Sequence, residues 1–211
     1  MNSFLTESFS DMTDRIVENH PLEPFLPSGA RILMLGSFPP ARKRWSMDFF
    51  YPNWINDMWR ITGEVFYKEK DYFVLSDGRG EKQKAFDKDR IAAFCEEKGI
   101  ALFDTAVKVV RLKDNASDKF LEVVESTDFD EILRRIPECK AIITTGQKAT
   151  DIIVERFGCS RPAVGEMSEI TTSEGRKLDF WRMPSSSRAY PMALEAKAEY
   201  YRRMYMNEGL I

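Results

Sequence analysis

Four short apolar runs constrain this chain more than any other feature: residues 31–36 (RILMLG), 100–104 (IALFD), 140–145 (KAIITT) and 177–183 (KLDFWRM). Each has the length of a strand and is stopped by Gly36, Asp104, Gly146 or Pro184. Runs of this kind read as buried strands, and buried strands separated by helices belong to parallel sheets. The intervals supply the helices. One opens at Pro52-Asn53 as WINDMWRIT, with Asn53 as N-cap and Gly63 as the stop. Others are expected over 87–98 (closed by Gly99), 128–136, 147–157 and 192–206, with a loop over 106–117 and a short helix capped by Ser117. Residues 4–19 carry Phe4, Leu5, Phe9, Met12, Ile16 and Val17 at amphipathic-helix spacing, ending near His20-Pro21. Residues 67–90 are charged and turn-rich, a surface excursion with a short strand at 72–75. The alternation predicts a three-layer α/β/α fold around a four-stranded, mainly parallel sheet. It forms a single domain over 1–211, in which 1–29 are an N-terminal helix and connector.

Charge and cysteine content narrow the function classes. Lysine plus arginine number 31 against 34 acidic residues, a formal net charge of −3. This excludes a uniformly basic nucleic-acid coat but leaves room for a local basic patch. Three cysteines cannot complete a disulfide framework, which predicts a reducing, cytoplasmic setting with buried, inert thiols. The same count disfavours a structural zinc site or an iron–sulfur cluster, so neither a metal nor another cofactor is expected. No run approaches the ~18–20 apolar residues of a membrane span. The first twenty residues carry acids and do not read as a secretory signal. A monomer without a membrane partner is expected.

In open parallel sheets ligands bind beyond the carboxyl ends of the strands. Four segments fall there: 36–59, 104–118, 146–149 and 184–191. The first joins a Gly36-Ser37 turn, whose backbone N–H groups suit a carbonyl or phosphate oxygen, to the cations Arg42, Lys43 and Arg44 and the aromatics Trp45, Phe49, Phe50 and Tyr51. Cations interleaved with aromatic faces suit a site that neutralises phosphate and stacks a base. A solvated charge run beside core aromatics is the plainer alternative. The fourth segment, Pro184-Ser185-Ser186-Ser187-Arg188, precedes a helix; its small hydroxyl residues allow a phosphate to approach, or merely cap the helix.

In order along the chain stand Gly36-Ser37-Phe38-Pro39, Phe49-Phe50, Pro52, Asn56-Asp57-Met58-Trp59, the strand ending at Asp104, the Asn115-Ala116-Ser117-Asp118 turn, Gly146 with Ala149, and Pro184-Ser185-Ser186-Ser187. This ordered set resembles the uracil-DNA glycosylase superfamily, most closely its branch acting on hypoxanthine and other deaminated bases. The resemblance covers residues 30 to 205 and implies strand order 2-1-3-4. It further implies a damaged-DNA partner and hydrolysis of an N-glycosidic bond in base excision repair. On that basis Gly36 and Ser37 supply backbone donors, Phe50 or Phe38 stacks on the extruded base, and Asn56 holds the water. Asn53 competes with Asn56 for that role, and Asp104 is a further candidate for polarising a water. Ser185, Ser186, Ser187 and Arg188 pinch the phosphates, while Arg42, Lys43, Arg44 and Lys148 add sequence-independent attraction.

The chain departs from that pattern in its Pro52-to-Asn56 spacing, which is longer and lets Asn53 compete, and in three residue types. The first motif has no Asp or Asn to activate water, no His precedes the proline, and the late loop has no His to stabilise the leaving base. The one histidine, His20, reads as a surface turn residue. These departures motivate an alternative: a non-catalytic nucleotide- or nucleic-acid-binding module on the same fold.

Overall fold

The computed structural model describes residues 16–77, 79–112 and 120–211. The helix expected over 4–19 lies mostly outside them, as do the 115–118 turn and the Ser117 cap. Within the described part, the four apolar runs become β2 (Ile32–Gly36), β5 (Ile100–Asp104), β8 (Ala141–Thr145) and β10 (Lys177–Met183). They lie side by side and parallel in the order β5-β2-β8-β10. Every residue of β2, β5 and β8 is buried, which is why their sequences show no polar alternation. The sheet has five strands rather than four: β9 (Glu166–Thr171) adds antiparallel to β10 at the edge. Only Ile170 of β9 is buried, so EMSEIT carries almost no apolar signal.

Helices cover both faces. Phe66 of α1 (Met58–Tyr67) meets Phe94 of α2 (Lys88–Lys98) at 4.8 Å and Tyr205 of α5 (Leu194–Asn207) at 4.9 Å between ring centroids. On the other side lie α3 (Phe129–Arg135) and α4 (Gln147–Phe157), whose Phe129 and Phe157 rings sit 6.1 Å apart. Adjacent residues of β8 point to opposite faces. Thr144 bonds Thr150 of α4, whereas Thr145 bonds Tyr51, whose ring packs on Trp59 of α1.

Several local expectations are corrected. Helix α1 starts at Met58, not after Asn53; Trp54 and Ile55 form a turn between the bridge residues Asn53 and Asn56. It also runs past Gly63 to Tyr67, ending at Lys68 in the left-handed conformation (φ 55°). Gly63 makes room instead of stopping the helix, since a Cβ there would lie 2.5 Å from the Glu69 carbonyl oxygen. The loop expected from residue 106 is β6 (Ala106–Arg111). Residues expected to be helical after 117 form β7 (Leu121–Ser126), paired antiparallel to β6. Residues 17–19, expected at the end of a helix, are β1 (Val17–Asn19), added antiparallel to the other side of β6. The 67–90 excursion holds a hairpin of β3 (Val74–Ser76) and β4 (Lys82–Phe86). Helices α2 and α3 begin where expected, and each is capped by the residue before it: the Asp87 and Asp128 side chains accept an N–H three residues on, from Arg90 and Glu131.

Candidate active site

The parallel strands end level. Gly36 is in register with Asp104, Leu35 with Thr144, and Met183 with Thr145. The loops leaving these ends enclose a cleft of about 710 Å³. Pockets for small organic ligands typically have ~300–1,000 Å³. Gly36, Ser37, Phe38, Phe50, Asn53, Asn56, Asp104, Arg44, Ser185, Ser186 and Ser187 all line it. Eleven residues singled out from the sequence thus converge from three distant parts of the chain.

Two glycines shape the strand ends. A Cβ on Gly36 would fall within 3.0 Å of Asp104 Oδ1, closer than real Cβ contacts, so only glycine lets the carboxylate lie over the β2 terminus. Gly146 opens α4 with φ 106°, a conformation few residues other than glycine adopt. Between them Tyr51, also at positive φ (50°), sets its hydroxyl 3.2 Å from Thr145 Oγ1. Burial, then the nearby Asp104 charge, pushes the Tyr51 phenol well above its ordinary value. A non-glycine residue in that backbone region is strained and needs its surroundings to hold it there.

The wall carrying Asn53 and Asn56 is fastened to the serine loop. Asn56 and Ser187 form an antiparallel bridge, and the Asp57 N–H donates to the Ser186 carbonyl at 2.8 Å. Beneath the junction the buried Asp57 carboxylate takes Arg188 Nε at 2.7 Å, with Lys197 Nζ at 3.8 Å and Arg60 Nη1 at 3.9 Å. Lys197 donates onward to the Ser187 carbonyl at 2.7 Å. Arg188, expected on a phosphate, gives its Nε to Asp57 and does not line the cleft. The serine loop is not the N-terminus of α5 either, which begins only at Leu194. Asn56 Oδ1, expected to hold a water, accepts the Met58 N–H at 2.9 Å, and Asn53 Oδ1 accepts the Ile55 N–H at 3.2 Å.

The expected cations divide. Arg44 lines the cleft, and its Nε is buried without a hydrogen-bond partner. Arg42 pairs with Asp48 and lies over the Trp45 ring, Lys148 donates to the Leu121 carbonyl at 2.8 Å, and neither they nor Lys43 line the cleft. Two arginines not anticipated do: Arg111, held by Glu18, and Arg182, held by Gln147.

No family model and no curated protein matches the sequence. Among solved structures, the solution NMR structure of a protein described as a "putative Uracil DNA glycosylase" from Methanosarcina acetivorans matches with a TM-score of 0.55 at 20% identity, over 90% of this chain and 99% of that one. The two chains share a fold. Among the described residues no helix is long and apolar enough to cross a membrane, and no group of three His, Cys, Asp or Glu side chains is placed to hold a metal ion.

Within this fold the largest departure from the sequence reading is His20. It is not a surface turn residue: its side chain is 3% exposed, and Nε2 lies 3.0 Å from Asp104 Oδ2. Asp104 itself is the next residue in register beyond Phe103, so His20 and Asp104 sit where the cleft meets the sheet. The pairing spans 84 residues. A histidine among polar and proline neighbours gives no local sign of it. A signal existed one level up: β1 needs a partner strand, and its pairing with β6 delivers residue 20 to the end of β5. Chemically, the cleft combines an acceptor-only carboxylate, amide groups, backbone at two strand ends, aromatic rings and arginines. That set can hold a heteroaromatic ring beside an anionic chain.

Proposed function

We propose that the protein is a DNA glycosylase hydrolysing the N-glycosidic bond of a deaminated base, of the uracil or hypoxanthine class, in base excision repair. The observation that carries this reading is the convergence of Gly36–Phe38, Asn53–Asn56, Asp104 and the 185–187 loop in one cleft, on a uracil-DNA glycosylase-like fold. A nucleotide extruded from the stack enters the cleft. Phe50 or Phe38 lies against its base, and the backbone at Gly36 and Ser37 faces the base oxygen that gathers charge as the bond breaks. The deoxyribose becomes cation-like and is captured by a held water.

Asn56 and Asp104 are the candidates for that water. The Asn56 oxygen already accepts the Met58 N–H and keeps one lone pair for a water. Asp104 offers a carboxylate, the better proton acceptor, and its charge favours a cationic sugar. Ser185, Ser186 and Ser187 with Arg44, Arg111 and Arg182 would position the phosphates. The cap at Asn56 and the Arg188–Asp57 pair favour, as a second reading, a binding module without chemistry.

The test is incubation of the folded protein with oligonucleotides carrying uracil, hypoxanthine, xanthine or no lesion, followed by alkaline cleavage at abasic sites. Cleavage restricted to at least one lesion strand, reduced ~10²–10³-fold by Asp104→Ala or Asn56→Ala, supports the enzyme and says which residue holds the water. Lesion-dependent binding with no abasic sites supports the module instead.

A further inference from the structure

His20 has no place in the cleft lining, yet it is among the most completely enclosed polar side chains in contact with a residue that does. Its imidazole is surrounded by three rings: Phe103 at 4.7 Å, Phe38 edge-on at 5.4 Å and Phe50 stacked at 6.3 Å between centroids. Both nitrogens are satisfied. Nδ1 lies 2.8 Å from the Leu22 carbonyl oxygen and 3.2 Å from the Leu22 amide nitrogen, and Nε2 faces Asp104 Oδ2 at 3.0 Å. An ionised carboxylate only accepts hydrogen bonds, so the hydrogen between the two groups resides on Nε2. Nδ1 has both an acceptor and a donor at Leu22, and therefore suits either the neutral or the charged ring.

The backbone explains how the ring is held. Asn19 of β1 pairs with Lys108 of β6, the His20 N–H then donates to the Val107 carbonyl at 2.8 Å, and Phe25 exchanges two hydrogen bonds with Leu102 of β5. Residues 17–25 thus run as a strap along the free edges of β6 and β5, fastened on both sides of His20. Asp104 Oδ2 is taken by this ring, and Oδ1 lies against the β2 terminus at Gly36, where the cleft begins.

We propose that His20 is a positioning residue for Asp104: the strap presents an imidazole N–H that fixes the carboxylate rotamer, so that the free oxygen meets the cleft occupant in one orientation. The aromatic cage fixes the ring, the ring fixes Oδ2, and Oδ1 is what remains for a water or substrate group. This rests on the glycosylase reading for its kinetic consequence but not for its geometry. A carboxylate displaced by about 1 Å loses on the order of 10²-fold in rate without losing substrate binding.

The experiment compares His20→Phe, which refills the cage without an N–H, with His20→Gln, whose amide N–H can replace Nε2–H, each alone and combined with Asp104→Ala. Thermal melts, affinity for lesion DNA and single-turnover base release are measured for all. The expected result is a loss of ~10–100-fold in rate for His20→Phe with affinity little changed, recovery to within a few-fold in His20→Gln, and no further loss from His20→Phe once Asp104 is alanine. Parent rate in folded His20→Phe, an equal loss in the Asp104→Ala background, or no recovery in His20→Gln would overturn the proposal.

Because the chain contains one histidine, its side-chain ¹⁵N resonances are unambiguous and give a readout that needs neither activity nor a foldable His20 variant. In the parent they should show a hydrogen-bonded Nε2–H, altered by Asp104→Asn and by adding an oligonucleotide with a tetrahydrofuran abasic site plus free uracil. If the parent releases no base from any lesion, the glycosylase reading fails by itself. The proposal then stands or falls on those resonances, and a histidine signal insensitive to Asp104→Asn sinks it.

Discussion

Replacing Gly36 with alanine tests the closest contact of the site. The backbone there lies outside the left-handed region, so alanine meets no conformational penalty and the effect is purely steric. The added methyl falls inside 3.0 Å of Asp104 Oδ1, whereas ordinary contact starts at 3.4 Å. Relief requires the carboxylate to retreat by on the order of 1 Å, because the other neighbour within 4 Å, Tyr51, is itself packed on Trp59. Overpacking of this kind costs ~1–3 kcal/mol. The retreat also stretches the 3.0 Å His20–Asp104 bond. Urea denaturation followed by tryptophan fluorescence should therefore show Gly36→Ala destabilised by ~1–3 kcal/mol, and Gly36→Ala in an Asp104→Ala background within ~0.5 kcal/mol of Asp104→Ala alone. An equal cost in both backgrounds would place the strain somewhere other than at the carboxylate and rule out this steric origin.

Four further outcomes are expected. Asp57→Asn leaves the buried Lys197 without its counter-charge and Arg60 with Asp71 alone, at 3.7 Å, and should destabilise by ~3–5 kcal/mol in the same denaturation assay. Tyr51, Tyr201 and Tyr205 are all pushed above their ordinary value by burial. The unfolded chain therefore loses those protons first, and stability should fall as pH rises beyond about 10, less steeply in Tyr51→Phe. Cys95 and Cys139 are buried, the latter thiol raised to about 11 by burial, while Cys159 is half-exposed. A disulfide reagent at neutral pH should modify Cys159 first and all three only after unfolding. Arg44→Ala should lower the slope of log affinity against log salt for DNA by ~0.7–0.9, the share of one phosphate contact.

The sequence disclosed what burial and capping write locally. β2, β5 and β8 are apolar on both faces, and Asp87, Gly99 and Asp128 mark helix ends with side chains or conformations that have few other uses. Elements settled by tertiary contact were misread. Gly63 resembles a helix stop, yet it sits mid-helix because the returning chain brings the Glu69 carbonyl against it. β6 and β7 are half-exposed, and their mixed composition reads as loop and helix, while β9 with one buried residue gives no strand signal at all. In the site, the glycine, asparagine, aspartate and serine positions were legible because their residue types suit strand ends and tight turns. Arg188 and His20 were not, since each takes its meaning from a partner more than 80 residues away, Asp57 and Asp104.

On the function proposed above, the cleft breaks one bond, between a deaminated base and its sugar. Mass spectrometry of a single-turnover reaction on lesion-bearing DNA tests it most directly. Free base should appear in step with an unbroken strand lighter by the mass of that base less one water, at a rate cut ~10²-fold or more by Asp104→Ala or Asn56→Ala. Folded protein that binds the lesion strand yet leaves its mass unchanged, or cuts the strand with the base still attached, would contradict it.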